Sequence, residues 1–224
     1  MRVLHIVGDL LFPPRCVKCK GLMPPGSEVF CEGCTASWRE AYAPCCREDA
    51  DGADATVYLA AYRKDHPTGA VERLVYHVKH EGSRRVLNFV VARIAEHLPA
   101  IDGTPIVTYP PRRRAAIRRD GFDQAARMAR CLASQVDGEL ETLLCRARRG
   151  WREQKRLDGE ARRQNADAAF LPCRDLEARV KGRTVILVDD LTTTGATLAA
   201  CTTLLRTAGA TRVIWATIAK NERV

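Results

Sequence analysis

The chain has 224 residues, 46% apolar and 28% charged, with only 6% aromatic residues and no apolar run of membrane-spanning length. That argues against a membrane-inserted protein and an extended base-stacking platform, and leaves room for one α/β domain with a small appendage. Net formal charge is +9, concentrated at residues 112–114, 118–119, 146–156 and 162–163. Such a surplus suits a nucleic-acid surface, a pocket for a phosphorylated ligand, or simply solvated arginine-rich faces.

Residues 1–11 are interrupted by Gly8 and Asp9 and lack a small-residue cleavage site. They do not read as a signal peptide, so a cytoplasmic location is expected. Ten cysteines in such a chain point to metal rather than disulfides. Six fall between residues 16 and 46, and Cys16-x-x-Cys19 followed by Cys31-x-x-Cys34 has the spacing of a four-thiolate zinc site, as against free or redox-active thiols. Gly21, Gly26 and Gly33 supply turns. A structural role is expected, because four thiolates leave no open coordination position. Cys45 and Cys46 are adjacent and suit one tetrahedral site poorly, so they are expected to be bystanders. Cys131, Cys145, Cys173 and Cys201 are isolated and read as small core or surface residues.

Residues 49–54 are polar and contain Gly and Asp, as linkers do. The expected organisation is therefore an N-terminal zinc-binding module, residues 1–50, and a second domain, residues 51–224. Within that domain the pattern predicts a strand at 55–63 and helices at 67–80 and 85–98. A buried strand at 106–109 runs into Pro110-Pro111, followed by a helix at 122–136 and strands at 140–145 and 212–219. Alternating strands and helices imply a mainly parallel sheet covered on both faces. Residues 146–165 are highly charged and poor in apolar side chains, which fits a mobile lid and a plain solvated excursion equally.

The most informative run is Val185-Ile186-Leu187-Val188-Asp189-Asp190-Leu191-Thr192-Thr193-Thr194-Gly195-Ala196-Thr197. Four apolar residues predict a buried strand, and Leu198, Cys201, Leu204, Leu205 and Ala208 predict a helix stopped by Gly209. Two acids and a hydroxyl-rich loop thus stand at the carboxyl end of a strand, where open α/β sheets bind ligands. Backbone N–H groups from Thr193 to Ala196 form a donor set for an anion, and Gly195 permits close approach. The paired acids suit a sugar diol or a hard cation such as Mg²⁺. The plainer alternative is an acidic loop with a capping Thr. No Gly-Lys-Thr phosphate loop or Gly-x-Gly-x-x-Gly fingerprint is present, which argues against the ATP and dinucleotide sites built on them.

This run resembles the phosphoribosyl pyrophosphate signature of type I phosphoribosyltransferases. More closely, the chain resembles the ComF family, bacterial proteins with a Cys-rich zinc module ahead of a phosphoribosyltransferase domain. The likeness rests on residues 189–197 and 208–213, on Gln154-x-x-Leu157 with Arg162-x-x-Asn165 and Ala169-Phe170, on Lys79-His80-Glu81-Gly82, and on Gly121-Phe122-x-Gln124. It implies a type I phosphoribosyltransferase-like α/β fold, a mainly parallel sheet flanked by helices. It also implies that Asp189 and Asp190 are catalytic and hold the ribose hydroxyls, directly or through Mg²⁺. Thr192, Thr193, Thr194, Gly195, Ala196 and Thr197 would wrap the 5-phosphate. Lys79, Gln154 and Arg162 would serve the pyrophosphate side or a lid, with structural zinc on Cys16, Cys19, Cys31 and Cys34. The implied reaction displaces pyrophosphate from phosphoribosyl pyrophosphate in favour of an acceptor, in a protein linked to DNA uptake. The alternative is a non-catalytic accessory protein that binds a nucleotide or single-stranded DNA and meets other DNA-uptake proteins. The chain departs from the family pattern at Asp120 and Asp123, where Arg and Asn are usual, and at Tyr109-Pro110-Pro111. The third cysteine pair is reduced to Cys45-Cys46.

Overall fold

The computed structural model describes residues 13–24, 26–48, 52–66, 68–147 and 169–221. The elements among them are α1 (Glu32–Ala41), β1 (Cys45–Glu48), β2 (Ala55–Tyr62), α2 (Ala70–His80), α3 (Arg84–Glu96), β3 (Ile106–Thr108), α4 (Arg114–Asp120) and α5 (Gln124–Gln135). They continue as β4 (Glu139–Leu140), β5 (Leu144–Arg146), β6 (Phe170–Pro172), α6 (Leu176–Val180), β7 (Thr184–Thr192), α7 (Ala196–Thr207) and β8 (Arg212–Asn221).

The apolar run of β7 dictates the layering. Successive side chains of a strand point to opposite faces. Val185 and Leu187 accordingly join one core with Leu198, Cys201 and Leu205 of α7 and Val180 of α6. Ile186 and Val188 join the other, with Leu74 and Val78 of α2, Val90 and Ile94 of α3, and Met128 and Leu132 of α5. A strand buried on both faces has no polar alternation, which is why its sequence is continuously apolar. The sheet order is β1-β2-β8-β7-β3-β4, parallel throughout except for the antiparallel edge strand β1.

The cysteine-rich segment packs on the α2/α3 side. Val17, Met23, Val29, Phe30 and Trp38 belong to the same core as Leu74 and Phe89. Trp38 meets Phe30 and Phe89, each at 5.6 Å between ring centroids. Strand β1 carries Cys45 and Cys46 into the main sheet, paired opposite Tyr58 and Val57.

Several expectations are corrected. Residues 140–145 are not one strand: Glu139–Leu140 pairs with β3, whereas Leu144–Arg146 pairs with β6 in a separate two-stranded ribbon. An apolar run reveals strand character without revealing its partner. Strand β7 does not stop at Val188 but continues through both aspartates to Thr192. Helix α4 was not predicted because it buries no residue and so leaves no apolar period. Cys145 and Cys173 are not isolated residues: a disulfide joins them, with Cα atoms 5.6 Å apart across 28 residues of sequence. Only the β5–β6 pairing, which sets Cys145 opposite Leu171, brings them together. Among the described residues no helix is long and apolar enough to cross a membrane.

Candidate active site

Strand β7 delivers its two acids to opposite sides of the sheet edge. Asp189 continues the face of Val185 and Leu187, beside α7; Asp190 continues the face of Ile186 and Val188, beside α2 and α5. After Thr192 the chain turns through Thr193 and Thr194 to Gly195, the left-handed N-cap of α7 with φ 74°. A side chain on Gly195 would be strained by that φ, and its Cβ would sit 3.2 Å from the Trp215 ring. Trp215 is itself fixed beneath the loop by donating from Nε1 to Thr202 Oγ1 at 2.8 Å. Asp189 and residues 191–198 enclose a cavity of about 50 Å³. The helix N-terminus and the Thr193, Thr194 and Thr197 hydroxyls make it suited to a tetrahedral anion.

On the other side of the acids lies a cavity of about 400 Å³, bordered by Asp189, Asp190 and Thr197. Its cationic lining is Lys79 from α2, Arg112 and Arg119 around α4, and Arg146 from β5, with His80 of α2 beside them. Asp190 is 5% exposed. Lys79 Nζ lies 3.6 Å from its Oδ2, and Gln124 Nε2 donates to the same oxygen at 3.1 Å. The Asp190 amide donates to Asp189 Oδ1 at 2.8 Å. Burial, and then the neighbouring Asp190 charge, push Asp189 up to about 8. Burial also raises Asp190, while the Lys79 ammonium and the Gln124 hydrogen bond act against it. The two acids form a coupled pair that holds protons at neutral pH more readily than solvated carboxylates do.

The two acidic departures, Asp120 and Asp123, are both engaged with their own neighbours. Asp123 is the N-cap of α5, accepting from the Ala126 amide at 3.2 Å, and it also accepts from the Arg112 amide at 3.3 Å. Asp120 accepts from Arg112 Nη2 at 2.8 Å and from Arg119 Nε at 2.8 Å and Nη2 at 3.2 Å. Hydrogen bonds from Arg119 and then Arg112 hold the Asp120 carboxyl well below the usual carboxylate range. Arg146 lies over the Phe170 ring at 5.1 Å, a cation–π contact in the wall of the larger cavity.

Away from this site, the Sγ atoms of Cys16, Cys19, Cys31 and Cys34 all lie within 4.8 Å of one another. Cys19 and Cys31 sulfurs are 3.7 Å apart, the edge length of a tetrahedron with metal–sulfur bonds of about 2.3 Å. Two turns build the cluster: Lys20, in the left-handed region at φ 64°, donates from its amide to Cys16 O at 2.9 Å, and Cys31 is the N-cap of α1. Burial would raise the Cys16 thiol, but backbone hydrogen bonds from Cys19, Cys31 and Lys18 outweigh it and leave Cys16 at about 6. The donor set therefore fits a thiophilic ion such as zinc.

The structure brings together Asp189, Asp190, Thr192, Thr193, Thr194, Gly195, Ala196, Thr197 and Lys79, and separately the four cysteines. Gln154 and Arg162, and the charged stretch that holds them, lie outside the described residues apart from its start. Sequence reasoning missed Gln124, Arg112, Arg119 and Arg146 as cavity residues. The arginines sat inside basic clusters with three open readings, and nothing in the sequence says that Asp120 gathers two of them.

Residues 115–223 match the model of the phosphoribosyl transferase domain. Among solved structures the chain is similar to adenine phosphoribosyltransferase from Rhodothermus marinus, at 14% identity over 84% of this chain and 86% of that one, TM-score 0.42. It is similar to phosphoribosylpyrophosphate synthetase from Mycobacterium smegmatis at 16% identity over 84% and 78%, TM-score 0.41. A third is glutamine phosphoribosylpyrophosphate amidotransferase from B. subtilis complexed with ADP and GMP, at 20% identity over 66% and 27%, TM-score 0.39. The chain thus spans little more than a quarter of the amidotransferase. No curated protein matches it in sequence.

Proposed function

We propose that the chain is a ComF-like phosphoribosyltransferase of the cytoplasm. It binds phosphoribosyl pyrophosphate with Mg²⁺ and transfers the phosphoribosyl group to a nitrogen acceptor, in a process tied to DNA uptake. A zinc module over residues 1–50 precedes the catalytic domain over residues 51–224. One observation carries this reading: Asp189 borders both the small anion-sized cavity and the larger cationic one. A sugar seated at the acids would have its 5-phosphate at Thr193–Thr197 and its anomeric carbon facing the arginines.

In this mechanism the loop amides and hydroxyls anchor the 5-phosphate, and that remote binding energy orients the ring. Asp189 and Asp190 accept from the ribose hydroxyls and lie near the positive charge that develops on the sugar as the bond to pyrophosphate breaks. The Lys79 ammonium, 3.6 Å from Asp190 Oδ2, favours the charged form of that carboxyl against the opposing effect of burial. Arg112 and Arg119 neutralise the departing pyrophosphate. Asp189 and Asp190 are the hard oxygen donors that would hold Mg²⁺, which when bound would supply further neutralisation of negative charge.

Isothermal titration with phosphoribosyl pyrophosphate and Mg²⁺ tests the pocket, and pyrophosphate release with a panel of nitrogenous acceptors tests transfer. Binding is expected to disappear in the Asp189→Asn, Asp190→Asn double variant. Absence of wild-type binding at millimolar ligand refutes the reading. Binding without pyrophosphate release assigns the pocket to sensing rather than catalysis.

A further inference from the structure

Gln124 is 7% exposed at the first position of α5, where the Asp123 cap fixes the helix start. Its Nε2 is spent on Asp190 Oδ2 at 3.1 Å. With Asp190 ionised, the reverse orientation of the amide would set two oxygen acceptors against each other. Its Oε1 therefore points away from Asp190, and this buried oxygen has no hydrogen-bond partner among the described residues. Buried acceptors are satisfied in the great majority of proteins, since an orphan retains its full desolvation cost. Gln124 borders the 400 Å³ cavity alongside Asp190, so a ligand in that cavity that uncovers Oε1 would supply the missing donor.

We propose that Gln124 is a specificity-determining residue for the sugar. Its Oε1 accepts a hydrogen bond from one hydroxyl of the ribose diol while the Asp190 it orients accepts from the other. This rests on the phosphoribosyl reading of the site and adds to it a means of selecting ribose over deoxyribose phosphates. The residue combines two tasks. Its nitrogen fixes the carboxylate, and its oxygen rewards a ligand that carries both hydroxyls.

The test uses the full chain and four probes: inorganic phosphate, ribose 5-phosphate, and the 2-deoxy and 3-deoxy forms of ribose 5-phosphate. Wild type is expected to favour ribose 5-phosphate over at least one deoxy form by about 5-fold or more, the worth of one neutral hydrogen bond. Gln124→Leu should bring that ratio close to one while leaving inorganic phosphate affinity within about 2-fold of wild type. Phosphate binding with no wild-type discrimination overturns the inference alone. A ratio unchanged in Gln124→Leu does the same and assigns Oε1 to solvent. Equal loss of phosphate and sugar affinity in the variant marks Gln124 as merely structural. Failure of wild type to bind phosphate or ribose 5-phosphate overturns both the inference and the reading beneath it.

Discussion

Asp120 holds Arg112 through a 2.8 Å bond from Nη2 to Oδ2, and the same carboxylate takes both Nε and Nη2 of Arg119. A carboxylate where the resemblance led us to expect a cation therefore does not face the pocket as a repelling charge. It gathers two cavity arginines into one cluster of net positive charge. Asp120→Asn should weaken inorganic pyrophosphate binding by about 5- to 10-fold, the net worth of an ordinary hydrogen bond, with ribose 5-phosphate affinity within about 2-fold. Titration calorimetry on both ligands decides it. Tighter pyrophosphate binding would mean that the carboxylate competes with the anion instead of orienting its receptors.

The Asp189 value of about 8 sets a pH dependence for the empty protein. The unfolded carboxyl titrates near 3.9, so between about pH 4 and 8 the unfolded chain gives up a proton that the folded chain retains. Stability from this group is present below that window and is lost as pH rises through it. Melting temperature without ligand or metal should fall from pH 5 to pH 8.5. Asp189→Asn should flatten the slope and melt higher than wild type at the alkaline end. Equal slopes in the two proteins would remove Asp189 as the cause.

Thiolate metal sites couple binding to folding. The purified chain should carry one zinc per molecule, and Cys16→Ser should release it and lower the melting temperature, because Cys16 is fully buried within the cluster. Elemental analysis before and after the substitution is the check. One zinc per chain retained by Cys16→Ser would remove that residue from the ligand set.

The Cys145–Cys173 bond closes a loop of 28 residues, worth up to about 3–4 kcal/mol by unfolded-chain entropy. Peptide mapping of unreduced protein should recover the two cysteines as one cross-linked species. Reduction should lower the melting temperature by several degrees, and Cys145→Ser should be insensitive to reductant. Recovery of both as free thiols from oxidised protein would refute the bridge.

What the sequence revealed follows from how local each signal is. The acids and the hydroxyl-rich loop were legible because thirteen consecutive residues encode strand, turn and helix, and the four cysteines because metal spacing is local. The helices at 70–80, 84–96 and 124–135 announced themselves by apolar period. The Cys145–Cys173 bridge, the Asp120 clamp and the Gln124–Asp190 bond were illegible for the opposite reason. Gln124 and Asp190 are 66 residues apart, and only the packing of α5 against β7 joins them. The division of Asp189 and Asp190 between two faces was half visible: strand geometry demands it, yet the point where the strand ends was misplaced by four residues.

Lys20, inside the first cysteine turn, reaches across to α2, donating to Glu81 at 2.9 Å and lying 2.7 Å from His77 Nε2. Lys79 sits two positions beyond His77, about 200° further round the same helix, and faces Asp190. One helix is therefore gripped from one side by the cysteine turn and leans with the other on Asp190. By reciprocity, whatever affinity an anion at Asp190 would gain from an ordered cysteine loop, a metal bound by that loop would gain from the anion.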